Sequence, residues 1–539
     1  MKSLNLENQL DEKTKKLILM MEEELKAKNN EIASLKNELE YLKSQILSKN
    51  RKIFGSSSEQ INSEQVSFFD EAENHSNLKV EEPTIEEISY KRNKPSKVNG
   101  KKDNLKNLEK MVIEHKLDED DKFCGECSSE LVVIGTKSKE MLKYVPAKLY
   151  VEEHVTYSYA CKTCEDNNDK ANIVTTKAPK TLLHKSMASN ELLSHVMNLK
   201  YQHALPLNRQ EKYFSMMDVN LSRQTLSNWM ISSSNELEPV YELMKGELLK
   251  RDYIQADETV VKVLDDRGKG SKKQKYMWLY KFPDRDHPII IYEYQKTRSG
   301  SCPKNFLKGF SSYIQTDGYS GYNKVENVKR LYCLAHIRRK FHDIIVNLDE
   351  EALKSSRALI GFNYCAKLYE IEKELKKKHA HKEDYYEIRY KKRLERSKAV
   401  IDEFIVYIDK ELENAVPRSA LGKALAYTKH LLPSFKKVFL ENGALEIDNN
   451  SAERSIRPFV IGRNNWLFSA SKKGAQASAL IYSIIETAKN NDLVVEKYLL
   501  YLMNKFSNID PGDKESLLKI LPFSEDLPED LKIKTNKTK

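Results

Sequence analysis

Three acidic residues stand in separate motifs that suit metal-dependent chemistry on phosphodiesters. Asp257 lies in Ile-Gln-Ala-Asp-Glu-Thr, Asp317 lies 60 residues later in Ile-Gln-Thr-Asp-Gly-Tyr, and Glu453 follows after another 136 residues in Asn-Asn-Ser-Ala-Glu-Arg. The aspartates close or interrupt apolar, strand-like runs, whereas the glutamate opens a predicted helix. Carboxylates hold Mg²⁺ (or Mn²⁺), and two such ions clamp the attacking and leaving oxygens of a phosphodiester. We therefore expect a triad that binds two metal ions and acts on nucleic acid.

Each acid also has a purely structural interpretation. Asp257 would simply end a strand, although an aspartate inside an apolar strand is costly unless it is paired or metal-bound. Asp317 precedes a glycine, which is ordinary turn chemistry. Glu453 fits a capping box that begins at Asn450, and Asp448 is then the rival third ligand. The residues alone leave the choice between Glu453 and Asp448 open.

Basic residues cluster around these acids in the sequence. Arginines grip phosphates in pairs, so such clusters favour a polyanion over a small neutral substrate. His336 would position a scissile phosphate or a water, and its alternative is a residue on a helix surface. The predicted DNA contacts in these clusters are His336, Arg338, Arg339, Lys340, Arg454, Arg457, Arg463 and Lys472.

The elements that must position the triad follow from apolar, β-branched and aromatic runs. Three strands that pair antiparallel, followed by alternating strands and helices, are the layout of a ribonuclease H-like fold. A charged helical stretch then separates this part from the helix that carries Glu453. The predicted strands are Tyr253–Leu264, Tyr276–Phe282, Ile289–Tyr294, Tyr313–Thr316 and Lys329–Leu334, and a helix follows over Ala335–Leu348.

A short helix, a turn and a second helix with a serine cap precede the strands. This order predicts a helix-turn-helix whose second helix enters a major groove. Arg223, Gln224 and Asn228 would then face bases or phosphates. The alternative is a packed helical hairpin with Leu226 and Trp229 in its core.

Two Cys-x-x-Cys pairs, Cys124 with Cys127 and Cys161 with Cys164, predict a structural Zn²⁺ site. Each pair places two thiolates on one turn, and four thiolates leave no open coordination position. Strand-like segments at Met141–Val145 and Leu149–Ala160 predict a ribbon between the pairs. The alternative, a redox dithiol, fits two pairs in a strand-rich module poorly.

The N-terminal helix carries apolar residues that alternate three and four apart from Ile32 on, which indicates a coiled coil and a homo-oligomer. A helix that packs on its own chain is the alternative.

Taken together, these segments predict a fold that is mixed α/β and multidomain. Its segments are a coiled-coil helix (1–55), a disordered basic linker (56–110), a zinc module (111–180), the helical DNA-binding region (181–250), the first part of the catalytic core (251–349), a helical insertion (350–440), the second part of the core (441–500) and a C-terminal segment (501–539).

Composition sets outer limits on function. The chain has 539 residues and a net charge of +10, which weakly favours an anionic partner. No apolar run approaches the roughly 18 residues of a membrane span, and the polar N-terminus predicts no signal peptide. Seven cysteines in this length do not form a disulfide framework, so we expect a reducing cytoplasm and no membrane partner.

Several long motifs resemble the transposases of IS66-type bacterial insertion sequences. They are the two aspartate motifs, Tyr-Ser-Gly-Tyr after Asp317, Cys-Leu-Ala-His336-Ile-Arg-Arg-Lys-Phe, and the stretch from Asp448 to Phe468. The resemblance implies a DDE transposase whose triad is Asp257, Asp317 and Glu453, with Asp448 as a neighbouring or capping group. It also implies magnesium, terminal inverted repeats and target DNA as substrates, small accessory proteins, and a place at the bacterial nucleoid.

Two other functions compete with this one. The first is a DNA-binding regulator without catalysis, against which the intact acidic positions argue. The second is a nuclease of the same fold that performs no strand transfer.

Overall fold

The computed structural model describes residues 20–21, 24–25, 28, 111–114, 126, 147–161, 172–264, 274–283, 286–346 and 348–533. The coiled coil and the linker predicted before residue 111 lie almost entirely outside these residues. So do Cys124, Cys127 and Cys164 of the predicted zinc site. The chain forms two compact units, of which one spans residues 87–178 and the other comprises residues 1–86 and 179–539.

The described part of the smaller unit contains a two-stranded antiparallel ribbon. Strand β1 (Ser158–Cys161) pairs with β2 (Asn172–Thr175), and Ser158 lies opposite Thr175. The strand predicted over Leu149–Ala160 is therefore wrong for most of its length, because residues 149–157 form no strand. Strand β2 comes after the second cysteine pair, and Cys161 of that pair is the last residue of β1. The other predicted ribbon segment, Met141–Val145, lies outside the described residues.

A five-stranded mixed sheet forms the centre of the larger unit. Its strand order is β5-β4-β3-β6-β7, with β3, β4 and β5 antiparallel and with β6 and β7 parallel to β3. The central strands are buried along nearly their whole length, which requires cover on both faces. All five predicted strands are present, with ends shifted by up to three residues: β3 (Tyr253–Val261), β4 (Lys275–Lys281), β5 (Ile290–Gln295), β6 (Tyr313–Thr316) and β7 (Lys329–Tyr332).

Helices surround this sheet in the order of the chain. Among the residues described from 172 onward, four helices precede it, two lie among or directly after its strands, five form the segment predicted as an insertion, and four follow. They are α1 (Asn190–Met197), α2 (Leu207–Ser215), α3 (Arg223–Glu236), α4 (Glu238–Leu249), α5 (Ser301–Phe306), α6 (Leu334–Ile345), α7 (Glu350–Lys354), α8 (Arg357–His379), α9 (Tyr385–Lys392), α10 (Lys398–Asn414), α11 (Ala420–Phe439), α12 (Asn450–Trp466), α13 (Lys472–Asn490), α14 (Val495–Phe506) and α15 (Lys514–Leu518).

Helices α8, α10 and α11 share a hydrophobic core with β7 and α6. Leu334 and Phe341 of α6 lie in one buried cluster with Phe404 and Leu432. Gly361 of α8 lies directly against α6, since a Cβ atom at this position would lie 2.6 Å from the Phe341 ring. These helices are therefore packed into the fold and do not stand apart from it.

A buried charged cluster ties the same helices to the segment that leads into α12. The Arg393 guanidinium is fully buried and donates to both carboxylate oxygens of Glu372, at 2.8 and 3.0 Å. It also donates to the carbonyls of Asn442 and Leu445. Arg389 joins Glu372 to Glu446 through further charged hydrogen bonds. Such a cluster fixes the path of residues 442–446, because each buried charge is paired and hydrogen-bonded.

Helix α12 packs against β3 and β4, and α13 packs against β5. Among the residues that the structure describes, no helix is both long enough and apolar enough to cross a membrane.

Candidate active site

The parallel pairing of β3 and β6 brings two acidic motifs side by side. Gln255 on β3 lies in register with Gln315 on β6. Asp257 stands two residues beyond Gln255, and Asp317 stands two residues beyond Gln315, directly after β6. Since side chains alternate between faces along a strand, each aspartate shares a face with the glutamine before it.

Glu453 approaches the aspartates from α12. Burial raises the pKa of Asp257 well above its ordinary value, and the negative charges of Glu258, Glu453 and Asp317 raise this pKa further. Asp317 and Glu453 therefore both lie close enough to Asp257 to influence it electrostatically. Glu453 is buried; its Oε2 lies 3.7 Å from Arg339 Nη2, and its Oε1 has no hydrogen-bond partner among the described residues. A buried carboxylate oxygen of this kind suits a metal ligand.

Asp448 and Glu453 make different contacts at the start of α12. Asn449 is the N-cap residue, and Asp448 accepts hydrogen bonds from the backbone and side-chain nitrogens of Asn450, at 3.1 and 2.9 Å. Burial raises the pKa of Asp448 to about 6. Glu453 stands four residues after the N-cap, one beyond the position that a capping box requires. Asp448, rather than Glu453, therefore stabilises the beginning of this helix.

A charged network that no sequence motif indicates lies beside the aspartates. Arg298 Nε lies 2.7 Å from Glu258 Oε1, and Arg298 Nη2 lies 3.6 Å from Asp317 Oδ2. The guanidinium stacks on the Tyr319 ring at 3.9 Å, and Tyr322 donates from its hydroxyl to Glu258 Oε2. Burial raises the pKa of Glu258, and the charge of Arg298 opposes this rise. The tyrosines were visible as a Tyr-Ser-Gly-Tyr motif, whereas no motif or periodic pattern marked Arg298.

Helix α6 adds a second group of ligand-type side chains. Cys333 is its N-cap residue, and His336 lies in its first turn. His336 is buried, so its alternative interpretation as a helix-surface residue is wrong. One ligand atom each of Cys333, His336 and Glu453 lies within 4.8 Å of the other two. The Cys333 sulfur also accepts a hydrogen bond from the backbone nitrogen of Asn449, at 3.1 Å.

Two arginines that were predicted to contact DNA are instead buried inside the fold. Arg339 is nine-tenths or more buried and faces Glu453. Arg463 is similarly buried, and its Nη1 donates to the Val260 carbonyl and lies 3.3 Å from Thr259 Oγ1. This guanidinium holds α12 to β3, because α12 turns that side chain toward the sheet.

Other predicted DNA contacts lie nearer the surface. Arg338 stacks over the Phe362 ring at 4.6 Å, and Lys340 lies over the Tyr427 ring at 5.1 Å, so both touch the helices between α6 and α12. Arg454 is exposed, whereas Arg457 and Lys472 are half-buried. These last three flank Glu453 and the start of α13.

A family model described as the transposase IS66 family matches residues 185–477, which is more than half of the chain. The chain belongs to the IS66 transposase family. A second model, the zinc-finger binding domain of transposase IS66, matches residues 121–165, and a third, described as transposase C of IS166 homeodomain, matches residues 41–113. The matched zinc-finger range contains all four cysteines of the predicted zinc site.

Similar proteins occur in Sinorhizobium fredii. The uncharacterized protein y4qI is 29% identical over 377 residues, which are 67% of this chain and 66% of that protein. The uncharacterized protein y4jD is 29% identical over 70% of this chain and 73% of its own length, and y4hP is 26% identical over 71% and 70%. The matched region thus spans about two thirds of these relatives. No solved structure matches the chain.

The zinc-finger match supports a structural zinc site in this IS66 family member. Cys161 ends β1. The position of Cys164 in the connection between β1 and β2 follows from the sequence, but its geometry lies outside the described residues.

The predicted helix-turn-helix corresponds to α2 and α3 of this family member. Ser222 caps α3 as predicted, because its hydroxyl accepts a hydrogen bond from the Thr225 nitrogen at 3.1 Å. The three predicted reading residues are exposed, and Gln224 donates to Asn228 at 2.9 Å across one turn. The opposite face buries Leu226 and Trp229. The hairpin therefore has both a packed core and an exposed polar face.

Proposed function

We propose that this IS66 family transposase cleaves DNA at the ends of its element and joins the freed 3′ ends to target DNA. Asp257, Asp317 and Glu453 are the proposed metal ligands, on a ribonuclease H-like core. The observation that carries the proposal is that Asp317, at the end of the strand beside β3, and the buried Glu453 of α12 both lie near enough to Asp257 to raise its pKa.

The donor set fits magnesium or manganese. All three proposed ligands offer hard carboxylate oxygens, and the Glu453 Oε1 atom is buried without a hydrogen-bond partner in the described part of the chain. Like-charged carboxylates also raise the pKa of Asp257, so a cation between them would relieve their repulsion. When bound, two such ions would activate the attacking oxygen and neutralise the leaving oxygen.

The surrounding side chains have proposed roles of their own. Arg298, which is itself paired with Glu258, would hold Asp317 in place, and Arg339 would hold Glu453. His336 lies beside Glu453 and would orient a phosphate or a water. Arg454, Arg457 and Lys472 would grip DNA phosphates near the triad, and Arg223, Gln224 and Asn228 would recognise the terminal inverted repeats.

Further parts of the proposal concern assembly. The coiled coil predicted in residues 1–55 would join copies of the chain, and four cysteines would hold a structural zinc ion. Small accessory proteins of the same element are proposed as partners, because the family resemblance implies them.

The decisive experiment incubates the purified chain with linear DNA that carries the element's ends, a target plasmid and Mg²⁺ or Mn²⁺. We expect cleavage and joined products from the wild type, and neither from Asp257→Asn or Glu453→Gln, while end binding is retained. Asp448→Asn is the matched control, because it removes a neighbouring carboxylate that caps α12; this variant should still cleave.

The products distinguish the competing functions. Cleavage without joining would support a nuclease of the same fold. Binding of ends by the wild type without cleavage in either metal would contradict catalysis and favour a regulator. Cleavage by Asp257→Asn would exclude Asp257 as a metal ligand.

A further inference from the structure

Two buried glutamines occupy corresponding positions, each two residues before a proposed catalytic aspartate. We propose that Gln255 and Gln315 are positioning residues that fix the chain segment leading to Glu453 against the strands that carry the two aspartates. This inference rests on the proposed function of the triad. The glutamine that stands two residues before each aspartate has no part in the proposed metal binding, and this positioning role would explain its presence in both motifs.

The two side chains are hydrogen-bonded to each other and are fully buried. Gln255 Nε2 donates to Gln315 Oε1 at 2.8 Å. The hydroxyl of Tyr253 donates to the same oxygen of Gln315. The register of β3 and β6 places the glutamines opposite each other. The pair therefore links these two adjacent strands two residues before each aspartate.

The same amides reach out to the segment before α12. Gln315 Nε2 donates to the Glu446 carbonyl at 2.9 Å, and Gln255 Nε2 lies 3.2 Å from the Asp448 carbonyl. The Glu446 nitrogen donates in turn to the Tyr253 hydroxyl at 3.3 Å. Backbone groups at two positions of one segment are therefore held by side chains from both aspartate strands.

Further contacts hold the rest of this segment. The Asn449 side chain donates to the Ala256 carbonyl at 2.9 Å, next to Asp257 in the chain. The Leu334 nitrogen donates to the Ile447 carbonyl at 3.1 Å. Residues 446–449 are thus tied to β3, β6 and the start of α6 immediately before α12 begins, and Glu453 follows one turn later.

Hydrophobic packing alone would not define the position of residues 446–449 this closely. An apolar residue at 255 or 315 would fill the space, but it would leave the carbonyls of Glu446 or Asp448 without these hydrogen bonds, which disfavours the observed position of the segment. Backbone hydrogen bonds also define direction and register, which dispersion contacts do not. A displacement of about 1 Å at a catalytic group costs roughly a hundredfold in rate.

The first test measures the segment itself, without reference to catalysis. Gln315→Met keeps an unbranched side chain of similar length but removes the amide, and Gln255→Met provides a second, independent variant. Thr487→Val is the matched control: Thr487 is also fully buried, and its hydroxyl bonds the backbone of Ile290 on the outer strand β5. We expect backbone amides of residues 447–451 to exchange hydrogen at least about tenfold faster in the glutamine variants, but not in Thr487→Val.

The second test measures the cleavage rates of the same variants. If the glutamines act through Glu453, Gln315→Met lowers the cleavage rate about a hundredfold, whereas Thr487→Val cleaves at the wild-type rate. End binding should stay unchanged in all three variants. A general loss of folding would instead lower end binding together with cleavage.

The two tests separate failure of this inference from failure of the proposed function. Unchanged exchange at residues 447–451 in both glutamine variants would overturn the inference, as would wild-type cleavage rates in them. If the wild type itself does not cleave, the proposed function fails, and the exchange measurement still decides whether the glutamines hold the segment.

Discussion

Arg298 and Glu258 form a buried ion pair beside the proposed metal site, with 2.7 Å between Nε and Oε1 and with side chains that are 6% and 1% exposed. Replacing Arg298 by Met should leave the Glu258 carboxylate buried without its cation. We expect the free energy of unfolding to fall by about 3–5 kcal/mol, measured by urea denaturation.

A matched double variant tests the cause of that loss. Arg298→Met combined with Glu258→Gln removes the uncompensated charge and keeps a hydrogen-bonding partner for Tyr322. It should recover part of the lost stability, because breaking a buried pair costs more than replacing it, whereas Asp317 still lacks the Arg298 cation. Equal stability of the single and double variants would show that the ion pair is not the cause.

The sheet was predictable because its strands are runs of β-branched and aromatic residues, which carry their own signal in the sequence. The aspartate positions followed from the same runs. The pairing of Arg298 with Glu258 did not, because Arg298 lies outside any periodic element and meets Glu258 only through the strand order.

The arginines near Glu453 show a second feature that the sequence does not predict, namely which side chains of a basic cluster are exposed. In the sequence, Arg454 and Arg463 are equivalent members of one basic cluster. On α12 they point in different directions, so Arg454 is exposed and Arg463 bonds the backbone of β3. Which face of a helix meets the sheet depends on tertiary packing, and a cluster of charges does not reveal it.

The stability of the larger unit should depend on pH through Glu486 of α13. Burial raises the pKa of this carboxyl from 4.5 to about 7, although Lys489 and Lys281 oppose the rise. A raised carboxyl pKa means that the folded state binds the proton more tightly. Its stabilising contribution is therefore complete below pH 4.5 and is lost as the pH rises through about 7.

Glu486→Gln removes this titration and keeps the neutral shape. The unfolding free energy of the wild type should therefore fall by about 3 kcal/mol relative to the variant between pH 4.5 and pH 8. Denaturant titrations of both proteins at several pH values measure the difference. A constant difference across this range would contradict the prediction.

The exposed amides of α3 give a prediction about DNA ends. Asn and Gln side chains recognise adenine through paired hydrogen bonds in the major groove, and Gln224 and Asn228 are exposed on one face. Asn228→Ala should weaken binding to the terminal repeats by about 1–3 kcal/mol and leave binding to unrelated DNA unchanged. Fluorescence anisotropy at fixed salt measures both.

The control for Asn228→Ala is Arg418→Ala, which removes an exposed charge just before α11. It should not change the preference for terminal repeats over unrelated DNA. If Asn228→Ala weakens both kinds of DNA equally, α3 contacts phosphates and does not read bases.

The zinc-finger match over residues 121–165 predicts about one zinc ion per chain, held by thiolates from both cysteine pairs. Cys124→Ser or Cys164→Ser should release this ion, because a zinc site with three thiolates binds far more weakly, and metal content after dialysis measures the loss. Cys365→Ala is the control, since this buried cysteine of α8 lies outside the matched range and the variant should retain zinc.

Since metal binding and folding are coupled in small zinc modules, the serine variants should also become sensitive to protease within residues 111–178 while residues 179–533 stay resistant. Unchanged zinc content in both serine variants would show that these cysteines do not form the site.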